Sequence, residues 1–316
     1  MLICKYSSKY KTNMKAWMED IIMDKSLFHF LGFDEEGAIE KYEDIESDEV
    51  YIDINKVLNV KVFSVGVLTD EIINKLDTES TEYKKFINLK NVELEALENN
   101  YELLNEADLV VLIGEYEDTK AMTKLEYIIQ KARSKAIKTV LLLSVNNSIN
   151  KEVLRDISSK ADVLVPIIDS EAMRYEQNAF SFLDKNNLKA ELAQQYINTI
   201  LEFAPKCVSI LAPVDIIGTF THHKGIAYIS SGVGTGENRA EKAASLALSN
   251  IYSVKNYKDC KVLLLTFTGG KSLGLLEISE AADFIVDNYG DDETVLFNVV
   301  IDESMGNEMR VSIVGI

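Results

Sequence analysis

Cysteine, proline and histidine are scarce, with three of each in 316 residues. Cys4, Cys207 and Cys260 are far apart, odd in number and form no CxxC pair. That argues against a disulfide framework and fits isolated thiols in a reducing compartment. Two of the histidines, His222 and His223, are adjacent. Neighbours on a helix point about 100° apart and rarely ligate one metal, so no zinc centre is expected. Positive charge is short as well: 33 Lys and Arg face 51 Asp and Glu, a formal charge of −18. Such a balance argues against a nucleic-acid backbone or an anionic membrane surface as partner. No apolar run nears the roughly 18 residues that span a bilayer, and residues 1–15 have no apolar export core. What remains is the composition of an acidic cytoplasmic globular protein, 47% hydrophobic and 27% charged, long enough for two sizeable cores.

Residues 1–59 stand apart. An aromatic stretch (Trp17, Phe28, Phe30, Phe33) precedes an acidic one, Asp34 to Asp53, in which ten carboxylates face the single lysine Lys41. Trp17, Ile21, Ile22 and Met23 suggest a short helix, and the acidic run reads as a solvated face or a tether. From Val60 the pattern changes. Strands are expected at 60–65, 92–97, 109–113, 139–145 and 163–168, with helices at 70–76, 101–107, 122–136 and 151–159 between them. Strands apolar on both faces and separated by helices indicate a parallel sheet between helical layers. The ligand edge of such a sheet lies beyond the carboxyl ends of its strands.

A helix over about 187–203 follows, ended by Pro205. Beyond it, strands at 207–212, 226–231, 261–268, 294–301 and 308–315 and helices at 215–223, 238–250 and 275–289 form a second α/β unit with a mixed sheet. The last two strands flank Asp302-Glu303-Ser304-Met305-Gly306-Asn307, a turn-rich stretch suited to a hairpin.

Two glycine-containing stretches invite comparison with phosphate cradles. Gly232-Val233-Gly234-Thr235-Gly236-Glu237-Asn238-Arg239 lies between a strand and a helix, but misses the GxGxxG spacing and the later acidic residue. Thr268-Gly269-Gly270-Lys271-Ser272 is similar to the end of a Walker loop, yet Leu265 stands where its first glycine belongs. Taken with Val300-Ile301-Asp302 and Met305-Gly306-Asn307-Glu308-Met309-Arg310-Val311, these stretches resemble the C-terminal domain of the FtsZ family in order and spacing. In that family they are turn and cap elements, not phosphate contacts. The residues read the same way: Asn238 can cap a helix beginning near Arg239, and the glycines permit a tight strand-to-helix turn. The structural positions expected are Gly234, Gly236, Asn238, Arg239, Gly269, Gly270, Asp302, Gly306 and Arg310.

The resemblance extends backward. Val60 to Leu76 is similar to the family's first strand, loop and helix, and Ala107 to Gly114 to the strand feeding its signature loop. Ala161 to Ile167 resembles a later strand, and Leu188 to Phe203 the central helix. It implies an α/β, tubulin/FtsZ-like fold: a Rossmann-like parallel-sheet domain, a central helix, and a C-terminal α/β domain with a mixed sheet. The implied division is an extension at 1–59, a degenerate nucleotide-binding domain at 60–186, a connecting helix at 187–205 and a C-terminal domain at 206–316.

The departures from the family concern its nucleotide. FtsZ and tubulins hold GTP phosphates on the loop GGGTGTG, where this chain has Gly114-Glu115-Tyr116-Glu117-Asp118-Thr119-Lys120. One glycine remains, and three carboxylates stand where a polyanion belongs. The family's first glycine loop corresponds to Gly66-Val67-Leu68-Thr69. Only nine residues separate Leu97 from Ala107, where the family has several dozen that carry a further phosphate loop. Gly66, Gly114, Glu115, Glu117, Asp118 and Thr119 are therefore read as vestigial phosphate-loop positions. The family's catalytic NxDFAD loop corresponds to the segment holding Pro213, Asp215 and Ile216, in which one carboxylate remains, out of register, as a candidate interface. The chain stops at Ile316 without the family's tail and tether-recruiting terminal peptide.

These readings imply a non-catalytic FtsZ-like protein that binds no cofactor, acts through protein–protein contacts, and has FtsZ or its own copies as partner. Two alternatives stand beside it. One is a divergent GTP-binding, filament-forming GTPase involved in cell division. The other is a small-molecule or cation site on the acidic loop 115–118.

Overall fold

The computed structural model describes residues 58–66, 87–91, 104–168, 185–202, 225–252, 260–289 and 294–316. Two sheets are present. Sheet A contains β1 (Leu58–Ser64), β2 (Ile87–Asn91), β3 (Leu109–Glu115), β4 (Lys138–Val145), β5 (Val163–Ile168) and the two-residue β6 (Gly225–Ile226). Their order is β2-β1-β3-β4-β5-β6, and every neighbouring pair is parallel. Helices α1 (Thr119–Ser134) and α2 (Lys151–Ser158) make the crossovers that parallel pairs require. On α1 the buried residues are Ala121, Leu125, Ile128, Ile129 and Ala132, one stripe at helical spacing. The central strands are buried on both faces, which is why they read as unbroken apolar runs.

Two aspartates join the amino-terminal ends of the strands. Asp108 Oδ2 accepts the Asn59 backbone N–H at 2.9 Å. Asp162 Oδ2 accepts both the N–H and the hydroxyl of Thr139, each at 2.9 Å. Both follow an alanine and precede an apolar strand, so one local pattern serves twice.

Helix α3 (Lys185–Glu202) joins the sheets. Leu188, Leu192, Tyr196, Ile197, Ile200 and Leu201 share one apolar cluster with Val111, Leu142 and Val165 of sheet A and with Ile229, Leu264, Leu296 and Val314 beyond it. A helix buried on nearly all sides is expected where two sheets close on it. Each such side chain taken out of water stabilises by about 1.5–3 kcal/mol.

Sheet B contains β7 (Tyr228–Gly234), β8 (Val262–Gly269), β9 (Thr294–Ile301) and β10 (Met309–Gly315) in the order β7-β10-β8-β9. It is mixed: β8 and β9 are parallel, while β10 runs antiparallel to β7 and β8. Helices α4 (Arg239–Tyr252) and α5 (Leu275–Tyr289) cover one face through Ala243, Ala244, Ala247, Ile278, Ala281 and Ile285. On the α3 face, a row of Ile229, Val314, Leu264 and Leu296 gives way to a row of Ser231, Ser312, Thr266 and Asn298. Gln195 of α3 donates to the Ser231 hydroxyl in that second row.

Several sequence expectations change. The final two strands form no hairpin, because β8 lies between β9 and β10. The connection, with a short 3-10 turn at Glu303–Met305, crosses the end of β8. It fits because Gly270 has no side chain: a Cβ there would sit 2.3 Å from Gly306 O. The strand expected at 226–231 is two elements, Gly225–Ile226 on sheet A and Tyr228–Gly234 on sheet B, with the chain passing between sheets at Ala227. The edge strand of sheet A is Ile87–Asn91, which the apolar pattern did not mark. Of the helix expected at 101–107, residues 104–107 form a turn with Glu106 at φ 63. Expected elements at 70–76, 92–97, 207–212 and 215–223 lie outside the described residues, as does the short helix near Trp17.

Candidate functional site

The carboxyl edge of sheet A gathers the residues expected at the phosphate loop. Strand β3 runs through Gly114 to Glu115, pairing them with Leu143 and Ser144 of β4. Gly114 is therefore a strand residue, not a loop residue. A Cβ there would meet Leu125 Cδ1 at 2.5 Å, so its bareness lets α1 pack on β3. Gly66 follows β1 in the left-handed region, φ 106, which suits glycine. A Cβ on Gly66 would lie 3.6 Å from Glu115 Oε1 and 4.0 Å from Asp118 Oδ2, so these two carboxylates face the same loop.

Each acidic side chain here has a distinct setting. Asp118 is the N-cap of α1; its Oδ1 accepts the N–H of Lys120 at 2.9 Å and of Ala121 at 3.0 Å. That is the usual work of an aspartate at this position, which satisfies amides the helix itself cannot. Thr119 begins α1, and its carbonyl accepts the Thr123 hydroxyl at 2.8 Å. Glu117 Oε1 accepts the Asn146 side-chain amide at 2.6 Å. Glu115 Oε1 is buried with no hydrogen-bond partner among the described residues, and the same is true of Ser144 Oγ on the neighbouring strand. Among the described residues no group of three or more His, Cys, Asp or Glu is placed to hold a metal ion. The residues at 67–70, and Pro213, Asp215 and Ile216, lie outside the described residues.

The motif residues of the C-terminal unit meet around one guanidinium. Arg239, the first residue of α4, is buried at 7% exposure. Its Nε donates to Glu277 Oε1 at 2.6 Å and its Nη2 to Glu277 Oε2 at 2.7 Å, a bidentate pair. Nη1 donates to Asn307 O at 2.8 Å, and Nη2 to Ser272 O at 2.9 Å. One side chain so joins α4, the loop after β8, the start of α5 and the β9–β10 connection. Glu277 also accepts the Gly274 N–H at 3.0 Å, closing the first turn of α5. The hydrogen bond from Arg239 holds the Glu277 carboxyl below the usual carboxylate range, and the same bond raises the arginine.

Around this centre, Gly234 admits the α4 start: a Cβ there would fall 1.9 Å from Arg239 O. Gly236 and Asn238 both have left-handed backbones, φ 69 and 58. Asn238 caps α4 through its carbonyl, which accepts from Lys242 N at 3.1 Å, rather than from an extended conformation. Asp302 is buried; its N–H donates to Gly269 O at 2.9 Å and its Oδ1 accepts the Ser304 N–H at 3.0 Å. Arg310 reaches Met305 Sδ at 3.6 Å. Sequence reading identified most of these positions but missed Glu277. An Arg at a helix start and a Glu in the first turn of the next helix was the available signal.

Comparison with known proteins agrees with this geometry. Residues 225–316 match the FtsZ family C-terminal domain. The chain is 26% identical over 162 residues to the cell division protein FtsZ of Caulobacter vibrioides, a match spanning 51% of this chain and 32% of that protein. Among solved structures, it is similar to an empty FtsZ dimer of M. jannaschii, with TM-score 0.65, 17% identity, and 93% and 91% of the two chains covered. It is also similar to CetZ2 from Haloferax volcanii in a GTPγS-bound protofilament, with TM-score 0.59, 10% identity, and 82% and 92% covered. Residues 225–316 thus match the FtsZ family C-terminal domain, and the chain as a whole has the fold of FtsZ and CetZ2, two sheets arranged on a central helix.

Proposed function

We propose that this protein is a non-catalytic member of the FtsZ/tubulin superfamily, acting through contacts with its own copies or with FtsZ rather than through GTP turnover. The observation that carries the reading is at the start of α1. The amides that a helix N-terminus offers to an anion are bonded by the chain's own Asp118 carboxylate. Glu115 and Glu117 flank it, so a polyphosphate would meet three carboxylates. Two unit charges at about 4 Å repel by about 4 kcal/mol at an effective dielectric of 20. Each charge-assisted hydrogen bond that is not made removes roughly 1.5–3 kcal/mol more. These residues fit a self-capped helix better than a phosphate cradle.

Association is the activity left to such a scaffold. Likeness in fold to an FtsZ dimer and to a CetZ2 protofilament supports head-to-tail or capping contacts. The second reading, a divergent GTP-binding filament former, draws on the same protofilament being GTPγS-bound. Under it, residues outside those described, including 67–86 and 92–103, supply the phosphate contacts. A cation on the loop 115–118 is disfavoured by the engagement of Glu117 with Asn146 and of Asp118 with α1.

Calorimetric titration with GTP separates the first two. The expected result is no binding at micromolar nucleotide. A Kd tighter than about 10 μM, roughly −7 kcal/mol, overturns the proposal. Sedimentation with and without GTP, alone and with FtsZ, tests association; assembly independent of nucleotide, or an altered FtsZ pellet, is expected.

A further inference from the structure

Among the described residues, β7 is the outer strand of sheet B, paired with β10 on one side and with no strand on the other. Helix α4 lies against it: a Cβ on Gly232 would fall 2.3 Å from Ala243 O and 2.6 Å from Leu246 Cβ. Asn250 of α4 donates its amide to Ser231 O at 2.8 Å. The unpaired strand edge and the outward side of α4 therefore form one continuous surface. Its composition departs from the rest of the chain. Residues 225–236 and 243–254 contain no Asp, Glu, Lys or Arg, in a sequence that is 27% charged. Exposed along α4 are Ser245, Leu246, Ser249 and Asn250, one stripe at helical spacing. Leu246 is 44% exposed, and Val233, on the other face of the strand, 40%, so an apolar side chain flanks the edge on each side. Outer strands are ordinarily blunted by charge or proline, and β7 has neither.

Charged groups bound this surface. At the amino-terminal end of α4 stand Glu237, Glu241 and Lys242, the last donating to the carbonyls of Thr235 and Glu237 at 3.2 and 2.8 Å. On the α3 side, Arg310 is paired with Val233 and donates to Met305 Sδ, and Glu191 lies one turn before Gln195. Lys255 follows Val254 in sequence. The acids of α5, Glu280, Asp283 and Asp287, belong to the helix joining β8 to β9, across the sheet from β7. A face without charge gives an oppositely charged partner nothing to recognise. A second copy brings its own −18, so two copies approach closely only where neither presents like charge. Two-fold contacts set one patch against itself, and serine, leucine and asparagine tolerate their own kind. With Leu246 at the axis and the two α4 helices antiparallel, Glu241 and Lys242 of one copy face Ser249 and Asn250 of the other, so the marginal charges meet uncharged residues. We propose that the outward stripe of α4, centred on Leu246 and continuing onto the edge of β7, is a two-fold contact face between copies of this chain. The inference deepens the reading of contacts between copies, and rests on it, by naming a closed pairing distinct from head-to-tail association. Since the contact uses no ion pairs, salt strengthens it by screening the repulsion between copies.

The test is sedimentation equilibrium of the full chain without nucleotide. Wild type should form dimers at about 100 μM, a concentration that detects free energies near −5.5 kcal/mol or better. Its Kd should fall at least ~3-fold as salt rises from about 0.05 to about 0.5 M. Leu246→Glu, which puts a carboxylate on each side of the axis, should weaken the dimer at least ~10-fold without moving the melting temperature. Ser249→Glu, on the same exposed stripe, should act likewise. Oxidised Leu246→Cys should link two copies through the substituted position, whereas Leu276→Cys, at a leucine 65% exposed on α5, should not. Wild type that stays monomeric overturns the inference together with the reading of contacts between copies. A dimer that both glutamate variants leave intact, that salt weakens, or that cross-links at position 276 instead overturns this face and leaves that reading standing.

Discussion

Arg239 and Glu277 show how much one pair of side chains can organise. Neither tolerates loss of the other, because the guanidinium is buried and its carboxylate partner is only 30% exposed. Breaking such a pair costs on the order of 3 kcal/mol, since the remaining charge is left without compensation. Arg239→Met should lower urea-melt stability by about that amount, and Glu277→Gln by somewhat less, about 2 kcal/mol. The pH dependence follows from the direction of the shift. Glu277 titrates below its ordinary 4.5 in the folded protein. Its contribution is therefore complete above that value and is lost as pH falls through the lowered folded pKa. The stability gap between wild type and Glu277→Gln should be constant from neutral pH to about pH 5 and should close in stronger acid. Glycines offer a second comparison. At Gly234 an added Cβ meets the backbone at 1.9 Å, whereas at Gly114 it meets the movable end of Leu125 at 2.5 Å. Gly234→Ala should cost about 3 kcal/mol or prevent folding, and Gly114→Ala about 1 kcal/mol, both read from urea melts.

Among the elements, α1 bears most directly on function. Its stripe of apolar residues was legible from helical spacing, whereas its Asp118 cap was not, since the sequence reading places that residue on a vestigial phosphate loop. The direction in which that cap matters was not legible either. Sequence reading treated the three carboxylates alike as repelling a polyanion; the structure gives Asp118 to the helix amides, Glu117 to Asn146, and buries Glu115 Oε1 at the strand end. Asp118→Ala should lower stability by about 1 kcal/mol, the ordinary value of a lost cap, as measured by thermal or urea melting. If the self-capped reading holds, Asp118→Ala alone should still not create micromolar GTP affinity, because Glu115 and Glu117 remain. The order of sheet B was beyond the reach of local signals. A turn-rich hexapeptide between two strands suits a hairpin, but strand order depends on which neighbours β10 finds. Gly270 and Gly306 let the connection cross β8, a contact between residues 36 apart in sequence.

At the scale of the whole molecule, the net charge of −18 sets a background of self-repulsion. The melting temperature should therefore rise between low and physiological ionic strength, as screening shortens the range of that repulsion. The two sheets meet through α3, whose sequence mixes polar and apolar residues and gave a clear helix but no hint that nearly all its faces are enclosed. The change from an apolar to a polar row on the α3 face of sheet B was equally hidden. Ser231, Ser312, Thr266 and Asn298 are far apart in the chain and become neighbours only through strand register. Among the described residues, no helix is long and apolar enough to cross a membrane.

The sequence by itself determined the α/β class, most element positions from β3 to β5 and from α4 to β10, and the likeness of residues 225–316 to the FtsZ C-terminal domain. These rest on periodicity, caps and short motifs, which are properties of a few neighbouring residues. Tertiary structure alone decided that β8 separates β9 from β10, that Gly114 serves packing, and that Arg239 is held by Glu277. It also decided that Lys61 and Lys135 meet on one asparagine, Asn105. Each of these depends on residues distant in sequence brought within a few ångströms by the closure of the sheets on their helices, and no local pattern encodes that distance.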